Sequence, residues 1–258
     1  MAQAAAHNVY YPGYAASNVK HHEWRTAENS AMHLLPTLQL MAQANPKLTL
    51  LDVGAGSGTI SLSLAGYMPR GHVTATDVSA DILERAAEHA AAAAVPNIVF
   101  QSANVYELPF ADDSFDIVHA SQVLAHLDAP VAALKEMLRV ASPGGVVACR
   151  ESADLHMSFY PKLPGITKFF DVLATTHNAA GGSSTAGTQL VSWAMKAGAR
   201  REQITATMGA WCYSTPEERQ MWGGTMIERL SNGAMRKKAL DMNLVTEADL
   251  DDIARAWA

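Results

Sequence analysis

The chain has 258 residues, a formal net charge of −6 and 49% hydrophobic residues, which accommodates one α/β domain with a full core. The negative charge argues against a nucleic-acid partner, which normally meets a basic surface. Two cysteines are too few for a disulfide framework, and no stretch has the ~18 uninterrupted apolar residues of a membrane span. The first residues also lack the features of a secretion signal, so we expect a cytoplasmic protein.

Residues 7–45 precede the first predicted strand. They begin with an aromatic, turn-rich stretch that contains Tyr14, followed by a helical pattern through His22 and Trp24 and an amphipathic turn at residues 38–41. Such short helices cannot form a core of their own, so we expect them to lie on the domain that follows.

The stretch from Leu48 to Gly58 reads L-T-L-L-D-V-G-A-G-S-G. It predicts a buried strand, a tight turn and the start of a helix. Glycines let the backbone turn sharply and let a ligand approach it closely. The N-terminus of the helix also presents unpaired N–H groups and a positive dipole end. This combination is typical of a nucleotide-like cofactor site, although such a loop also occurs as an ordinary turn.

The spacing of the glycines indicates which cofactor binds. A dinucleotide fingerprint would require glycine at position 59, where the chain has Thr59. The pattern instead resembles the first motif of class I S-adenosylmethionine (SAM) methyltransferases, D/E-x-G-x-G-x-G. That resemblance implies SAM contacts from the loop, namely Asp52, Gly54, Ala55, Gly56 and Gly58.

The second predicted strand, residues 72–76, ends on Asp77. This acid follows the glycine turn by roughly twenty residues, where α/β cofactor sites place a carboxylate for the ribose hydroxyls. The alternative is a helix cap, but Ser79 immediately precedes the predicted helix 80–94 and is the better candidate for that role. We therefore expect Asp77 to bind the ribose, with Val78 beside it.

The third predicted strand, residues 98–101, leads into a loop that resembles the second landmark of the same family, G-D-A-x-x-L-P-F followed by D-x-S-F-D. In that pattern an acid contacts the adenine amino group. Here Asn104 stands in its place, which still offers an acceptor oxygen but no charge. The resemblance implies that Val105 offers its backbone N–H to the adenine ring.

Strand four is predicted at residues 115–120, a helix at 131–140 and strand five at 146–150. The run L-K-E-M-L-R-V-x-x-P-G-G resembles a signature of the UbiE-like group, the ubiquinone and menaquinone methyltransferases and their relatives. This resemblance implies a Rossmann-like, doubly wound α/β fold with a mostly parallel, seven-stranded sheet. It also implies SAM as cofactor, S-adenosylhomocysteine as product and Ser121 as a further cofactor contact.

The last hundred residues carry fewer signals. Helices are predicted at 167–174, 189–197, 216–229, 233–242 and 246–257, and the alternating pattern of residues 201–213 predicts strand six. No candidate for a seventh strand follows Trp257, so either the chain is truncated or the sheet edge is uncovered. We expect residues 1–258 to form one domain, with an N-terminal lid (1–45), a cofactor-binding core (46–151) and a lid-bearing remainder (152–258).

Several residues are candidates for binding or activating the acceptor because of their predicted positions in the fold. His126 comes after strand four, at the sheet edge where ligands bind, and is either a general base or substrate contact or a structural histidine. His22 is a weaker catalytic candidate. Tyr14, Trp24, His156 and Trp222 are candidates for the acceptor pocket, although aromatic residues are more often core. The histidines are scattered, and no metal-ligand spacing is present.

The resemblance implies in-line methyl transfer from SAM to the O, S or C nucleophile of a small quinone-like, phenolic or thiol acceptor. The stretch R-T-A-E-N-S at 25–30 also resembles fungal relatives that methylate secondary metabolites. Two alternatives remain open: a SAM-binding subunit without transfer activity, and an NAD-dependent oxidoreductase, which Thr59 disfavours. Neither the acceptor nor the oligomeric state can be predicted from the sequence.

Overall fold

The computed structural model describes residues 22–153, 157–232 and 234–258, with backbone alone at 232 and 234. Its sheet has five strands, all parallel, in the order β3-β2-β1-β4-β5. The strands are β1 (Thr49–Val53), β2 (His72–Asp77), β3 (Ile98–Ser102), β4 (Phe115–Ser121) and β5 (Ala141–Arg150). The predicted doubly wound α/β fold is confirmed.

Helices cover both faces of this sheet. They are α1 (Ala27–Ser30), α2 (Leu35–Ala44), α3 (Thr59–Gly66), α4 (Ala80–Ala92), α5 (Pro130–Val140), α6 (Pro164–Asn178), α7 (Ala186–Ala197), α8 (Pro216–Asn232), α9 (Ala234–Asp241) and α10 (Glu247–Trp257), with short 3-10 helices at Leu124–His126 and Arg201–Gln203. None of the helices in the described ranges is both long and apolar enough to cross a membrane.

The buried strands separate two hydrophobic layers because successive side chains point to opposite faces of a sheet. In β1, Leu50 packs in the cluster that contains α2 and α3, whereas its neighbour Leu51 packs in the cluster that contains α5 and α7. The N-terminal helices therefore lie on the domain, as expected.

A third cluster joins the helices that follow β5. Phe169 of α6, Met226 and Leu230 of α8 and Ile253 of α10 are all buried in it. A capping box begins α10, because the Thr246 hydroxyl accepts a hydrogen bond from the Asp249 N–H at 3.2 Å and the Asp249 carboxylate accepts one from the Thr246 N–H at 2.8 Å.

The prediction of strand six at residues 201–213 is wrong. Only a 3-10 turn forms at Arg201–Gln203, and residues 204–214 have no regular structure and are largely exposed, with Met208 99% exposed. An alternating pattern forms a strand only where a neighbouring strand offers backbone partners. Within the described residues β5 pairs with β4 alone, so the sheet there has five strands and lacks the predicted sixth.

Candidate active site

A cavity opens at the carboxyl ends of β1, β2 and β4. Parallel strands bring these ends to one edge of the sheet, and ligands bind there in open α/β folds. Nine of the ten predicted cofactor residues line the cavity: Asp52, Gly54, Ala55, Gly56, Asp77, Val78, Asn104, Val105 and Ser121. The tenth, Gly58, does not line it.

The three loop glycines all have positive φ angles, of +67° at Gly54, +55° at Gly56 and +76° at Gly58. A Cβ atom at Gly56 would meet no protein atom within 4 Å, so this position faces open cavity. At Gly54 a Cβ would lie 2.5 Å from Val123 Cγ2, and at Gly58 it would lie 2.8 Å from Ala86 Cβ. Gly56 therefore leaves room for a ligand, whereas Gly58 allows α4 to pack closely.

The Asp77 carboxylate organises this loop. Its Oδ2 accepts a hydrogen bond from the Gly56 N–H at 3.0 Å, and its Oδ1 accepts one from the Ser79 N–H at 3.1 Å. Ser79 is the N-cap residue of α4 but makes no capping bond with its side chain, contrary to our expectation. Asp77 thus binds the glycine loop and the start of α4 while lining the cavity.

Asp52 also lines the cavity, but its oxygens bind protein groups. Its Oδ2 lies 2.5 Å from the Ser61 hydroxyl, and its Oδ1 lies 2.7 Å from His119 Nδ1. Asn104 is partly engaged as well, because its Oδ1 accepts the Tyr106 N–H at 3.0 Å. The structure therefore gives Asp52 an internal structural contact that the motif alone did not indicate.

The other end of the cavity carries His22, Arg25 and His126. His126 ends the 3-10 helix after β4, and its ring centroid lies 4.9 Å from that of His177 in α6. Burial, followed by the nearby His177, Arg25 and Arg229, lowers the pKa of His126 to about 3. The His126 imidazole is therefore neutral at physiological pH.

Two of the four predicted substrate residues are described by the structure, and neither of these lines the cavity. Tyr14 and His156 are outside the described residues. Trp24 and Trp222 do not line the cavity and instead contact opposite sides of one aromatic cluster, with ring centroids 5.4 Å and 4.6 Å from that of Tyr213. This cluster joins the N-terminal segment to α8, beside the cavity.

Sequence reasoning missed Arg25 and Glu151. Arg25 is 8% exposed and lies on the cavity wall, while Glu151 binds three backbone N–H groups of the loop after β4. Arg25 begins the R-T-A-E-N-S stretch, which gave no indication of a place in the cavity, and Glu151 belongs to no motif with recognisable spacing. A charged residue directly after a buried strand was the only signal for Glu151.

The geometry at Gly56 and Asp77 fits a nucleoside cofactor. Gly56 leaves a space that a Cβ would fill, and the acid at the end of β2 lies beside it, as ribose recognition requires. Among the described residues, no three His, Cys, Asp or Glu side chains are grouped closely enough to hold a metal ion.

Residues 44–181, more than half of the chain, match the family described as a methyltransferase domain. The chain belongs to this methyltransferase family. It is 33% identical over 260 residues to an uncharacterised methyltransferase of Schizosaccharomyces pombe, covering 96% of this chain and 89% of that protein. The methyltransferase is therefore SAM-dependent, as the glycine spacing predicted.

A second relative supports the UbiE-like resemblance. The demethylmenaquinone methyltransferase of Listeria monocytogenes is 33% identical over 136 residues, which is 52% of this methyltransferase and 54% of the bacterial protein. The chain thus matches about half the length of that relative. The structure of the cyclase SpnF has a similar fold, with a TM-score of 0.51, 21% identity and coverage of 87% and 73% of the two chains.

Proposed function

We propose that this methyltransferase acts on a small apolar or aromatic acceptor whose nucleophile is a thiol or a phenolic oxygen. The observation that carries the proposal is the neutral His126 imidazole on the cavity wall, in the positive field of two arginines. The chain's own apolar wall residues, Val105, Val123 and Leu127, suit an acceptor of low polarity.

Several residues would hold SAM. Asp77 would accept hydrogen bonds from the ribose hydroxyls, Gly56 would allow close approach, and Asn104 and Val105 would contact the adenine. Arg25 would bind the carboxylate of the methionine part, since a guanidinium matches a carboxylate in charge and shape. When bound, SAM supplies an activated methyl group, so the protein has to align the acceptor and exclude water.

The low pKa of His126 decides how it can act. An efficient general base has a pKa near the working pH, so an imidazole with a pKa of about 3 is a weak base. We expect His126 to accept a hydrogen bond from the acceptor and orient it. Burial is the main cause of the low pKa of His126, and the positive charge of Arg25 and Arg229, which adds to it, would also favour the ionised form of an acidic nucleophile. Thiols and phenols ionise far more readily than aliphatic alcohols.

Binding is tested first, by calorimetric titration of the wild-type protein with SAM and S-adenosylhomocysteine. We expect Asp77→Asn to weaken binding by roughly 10–100-fold, the value of one charge-assisted hydrogen bond. Asp81→Asn is the matched control, because Asp81 is an exposed acid in the first turn of α4. Equal affinities of the two variants would contradict the role of Asp77.

Acceptor class is tested next, with labelled SAM and matched aromatic thiols, phenols and benzylic alcohols. We expect methylation of the thiols and phenols, and at least tenfold slower transfer to the alcohols. His126→Asn, which retains a hydrogen-bonding side chain, should keep more activity than His126→Ala. Preferential methylation of the alcohols would overturn the proposed acceptor class.

A further inference from the structure

The loop after β4 brings Gln122, Val123, His126 and Leu127 to the cavity wall. Its first residue, Gln122, has a φ angle of +60°, in the left-handed region that side chains other than glycine rarely adopt. Such a conformation persists only where the surrounding structure holds it. Part of that hold comes from Arg150, the last residue of β5, whose carbonyl accepts the Gln122 N–H at 2.8 Å.

The next residue of the chain, Glu151, holds the remainder of the loop. Its Oε1 accepts hydrogen bonds from the N–H groups of Val123 at 2.9 Å and Leu124 at 2.8 Å, and its Oε2 accepts one from Ala125 at 3.3 Å. An ionised carboxylate is an acceptor only and suits three converging donors. A protonated carboxyl would direct its own O–H toward these N–H groups, which are also donors and cannot accept a hydrogen bond.

The held loop meets the glycine loop at Val123. Its side chain occupies the place where a Cβ of Gly54 would stand, 2.5 Å from Val123 Cγ2. A shift of Val123 would therefore move either the glycine loop or the cavity wall. Three hydrogen bonds accepted by one carboxylate thus fix the position of Val123. They thereby set the distance between the two loops that form the cavity.

We propose that Glu151 is a positioning residue for cofactor binding, whose ionised carboxylate sets the loop after β4 against the glycine loop. The proposal rests on the proposed function, because it concerns the same SAM cavity. Glu151 itself does not line that cavity. It acts through Val123, which directly precedes the 3-10 helix Leu124–His126, and through His126 at the end of that helix.

The charge state of Glu151 changes near neutral pH. Desolvation raises its pKa to about 7, while the three backbone N–H groups and Arg25 act in the opposite direction. The other titratable neighbours are Arg150 and Cys149, and burial and the nearby Glu151 raise the pKa of the Cys149 thiol. In α7, the uncharged Gly187 packs against the Glu151 backbone, where an added Cβ would lie 2.7 Å from the Glu151 carbonyl oxygen. As the pH falls below 7, therefore, Glu151 gains a proton.

The test is calorimetric titration with S-adenosylhomocysteine at pH 5.5, 6.5 and 7.5. For the wild type we expect the dissociation constant to rise about tenfold or more from pH 7.5 to 5.5 as Glu151 is protonated. Glu151→Gln should bind roughly 10–100-fold more weakly at pH 7.5 and show a much flatter pH dependence. Glu107→Gln, at an exposed position, is the matched control and should behave as the wild type.

The outcomes separate the two proposals. A folded wild type that does not bind S-adenosylhomocysteine at any pH would refute the proposed cofactor site. A wild type that binds, with Glu151→Gln equal to it at pH 7.5, would overturn the role of Glu151 alone.

Should Glu151→Gln not fold, the amide chemical shifts of Val123 and Leu124 in the wild type provide the second measurement. We expect both to titrate with a midpoint near pH 7 and to do so together with the affinity. Invariant shifts across this range would overturn the proposal.

Discussion

His119 Nδ1 lies 2.7 Å from Asp52 Oδ1, and the His119 side chain is completely buried. Asp52 is the acid of the motif in β1, and His119 is in the neighbouring strand β4, where the two residues are partners in register. With Ser61 bonded to its second oxygen, the Asp52 carboxylate fastens β1, β4 and α3 together beneath the cavity. The motif acid therefore has a structural contact as well as its place in the cavity wall.

This contact predicts a loss of stability. Replacing His119 by alanine leaves Asp52 with an unsatisfied oxygen and creates a void, so we expect the free energy of unfolding to fall by about 2–4 kcal/mol. Urea unfolding followed by circular dichroism measures this change. His72→Ala, at the exposed start of β2, should change stability by less than about 0.5 kcal/mol. Equal effects of the two substitutions would contradict the structural role of His119.

Alanine substitutions of two loop glycines should affect SAM binding and protein stability to different extents. A Cβ at position 56 points into open cavity, so Gly56→Ala should weaken SAM binding at least tenfold, with a stability loss of about 1 kcal/mol from its positive φ. A Cβ at position 58 would press on Ala86, so Gly58→Ala should cost more stability, about 2–3 kcal/mol. Calorimetric titration and thermal unfolding measure the two effects. The assignment fails if Gly58→Ala weakens SAM binding more than Gly56→Ala while remaining equally stable.

Trp211 should be a stabilising contact between distant parts of the chain. Its indole N–H donates to the Asn29 carbonyl at 2.7 Å, and the Arg150 guanidinium lies 3.8 Å from its ring centroid. We expect Trp211→Ala to lower the free energy of unfolding by about 2–3 kcal/mol, because it removes a hydrogen bond, a cation–π contact and aromatic packing. The exposed Met208 three residues earlier provides the control Met208→Ala, which should be neutral in the same unfolding measurement.

We also expect the ionisation of Glu151 to make the free energy of unfolding depend on pH. Its pKa is raised from 4.5 to about 7, so the folded protein keeps a proton that the unfolded chain releases. Its contribution to the free energy of unfolding is therefore full below pH 4.5 and declines as pH rises through 7, by up to ~3 kcal/mol. Glu151→Gln does not titrate, so its stability relative to the wild type should improve from pH 5 to pH 8. A pH-independent difference between the two proteins in urea unfolding would contradict this assignment.

The glycine loop and the acid at Asp77 could be interpreted from sequence because each depends on local geometry, whereas the landmarks from Asn104 to Gly145 were interpreted through their resemblance to a methyltransferase family. A turn that needs positive φ needs glycine, and a strand of period two shows its alternation directly. The local features predicted the parallel sheet, the resemblance implied the cofactor, and nine of the residues expected to contact it line one cavity.

Tertiary structure decided the remainder. The alternation in residues 201–213 resembles that of a strand, yet these residues pair with no strand of the described chain, so local pattern could not settle it. His126 owes its low pKa first to burial and then to His177, Arg25 and Arg229, which are far from it in sequence. Glu151 holds a loop some 26–28 residues earlier through backbone N–H groups, which every residue except proline has. Such contacts leave no residue pattern, because only the folded chain brings the carboxylate to those donors.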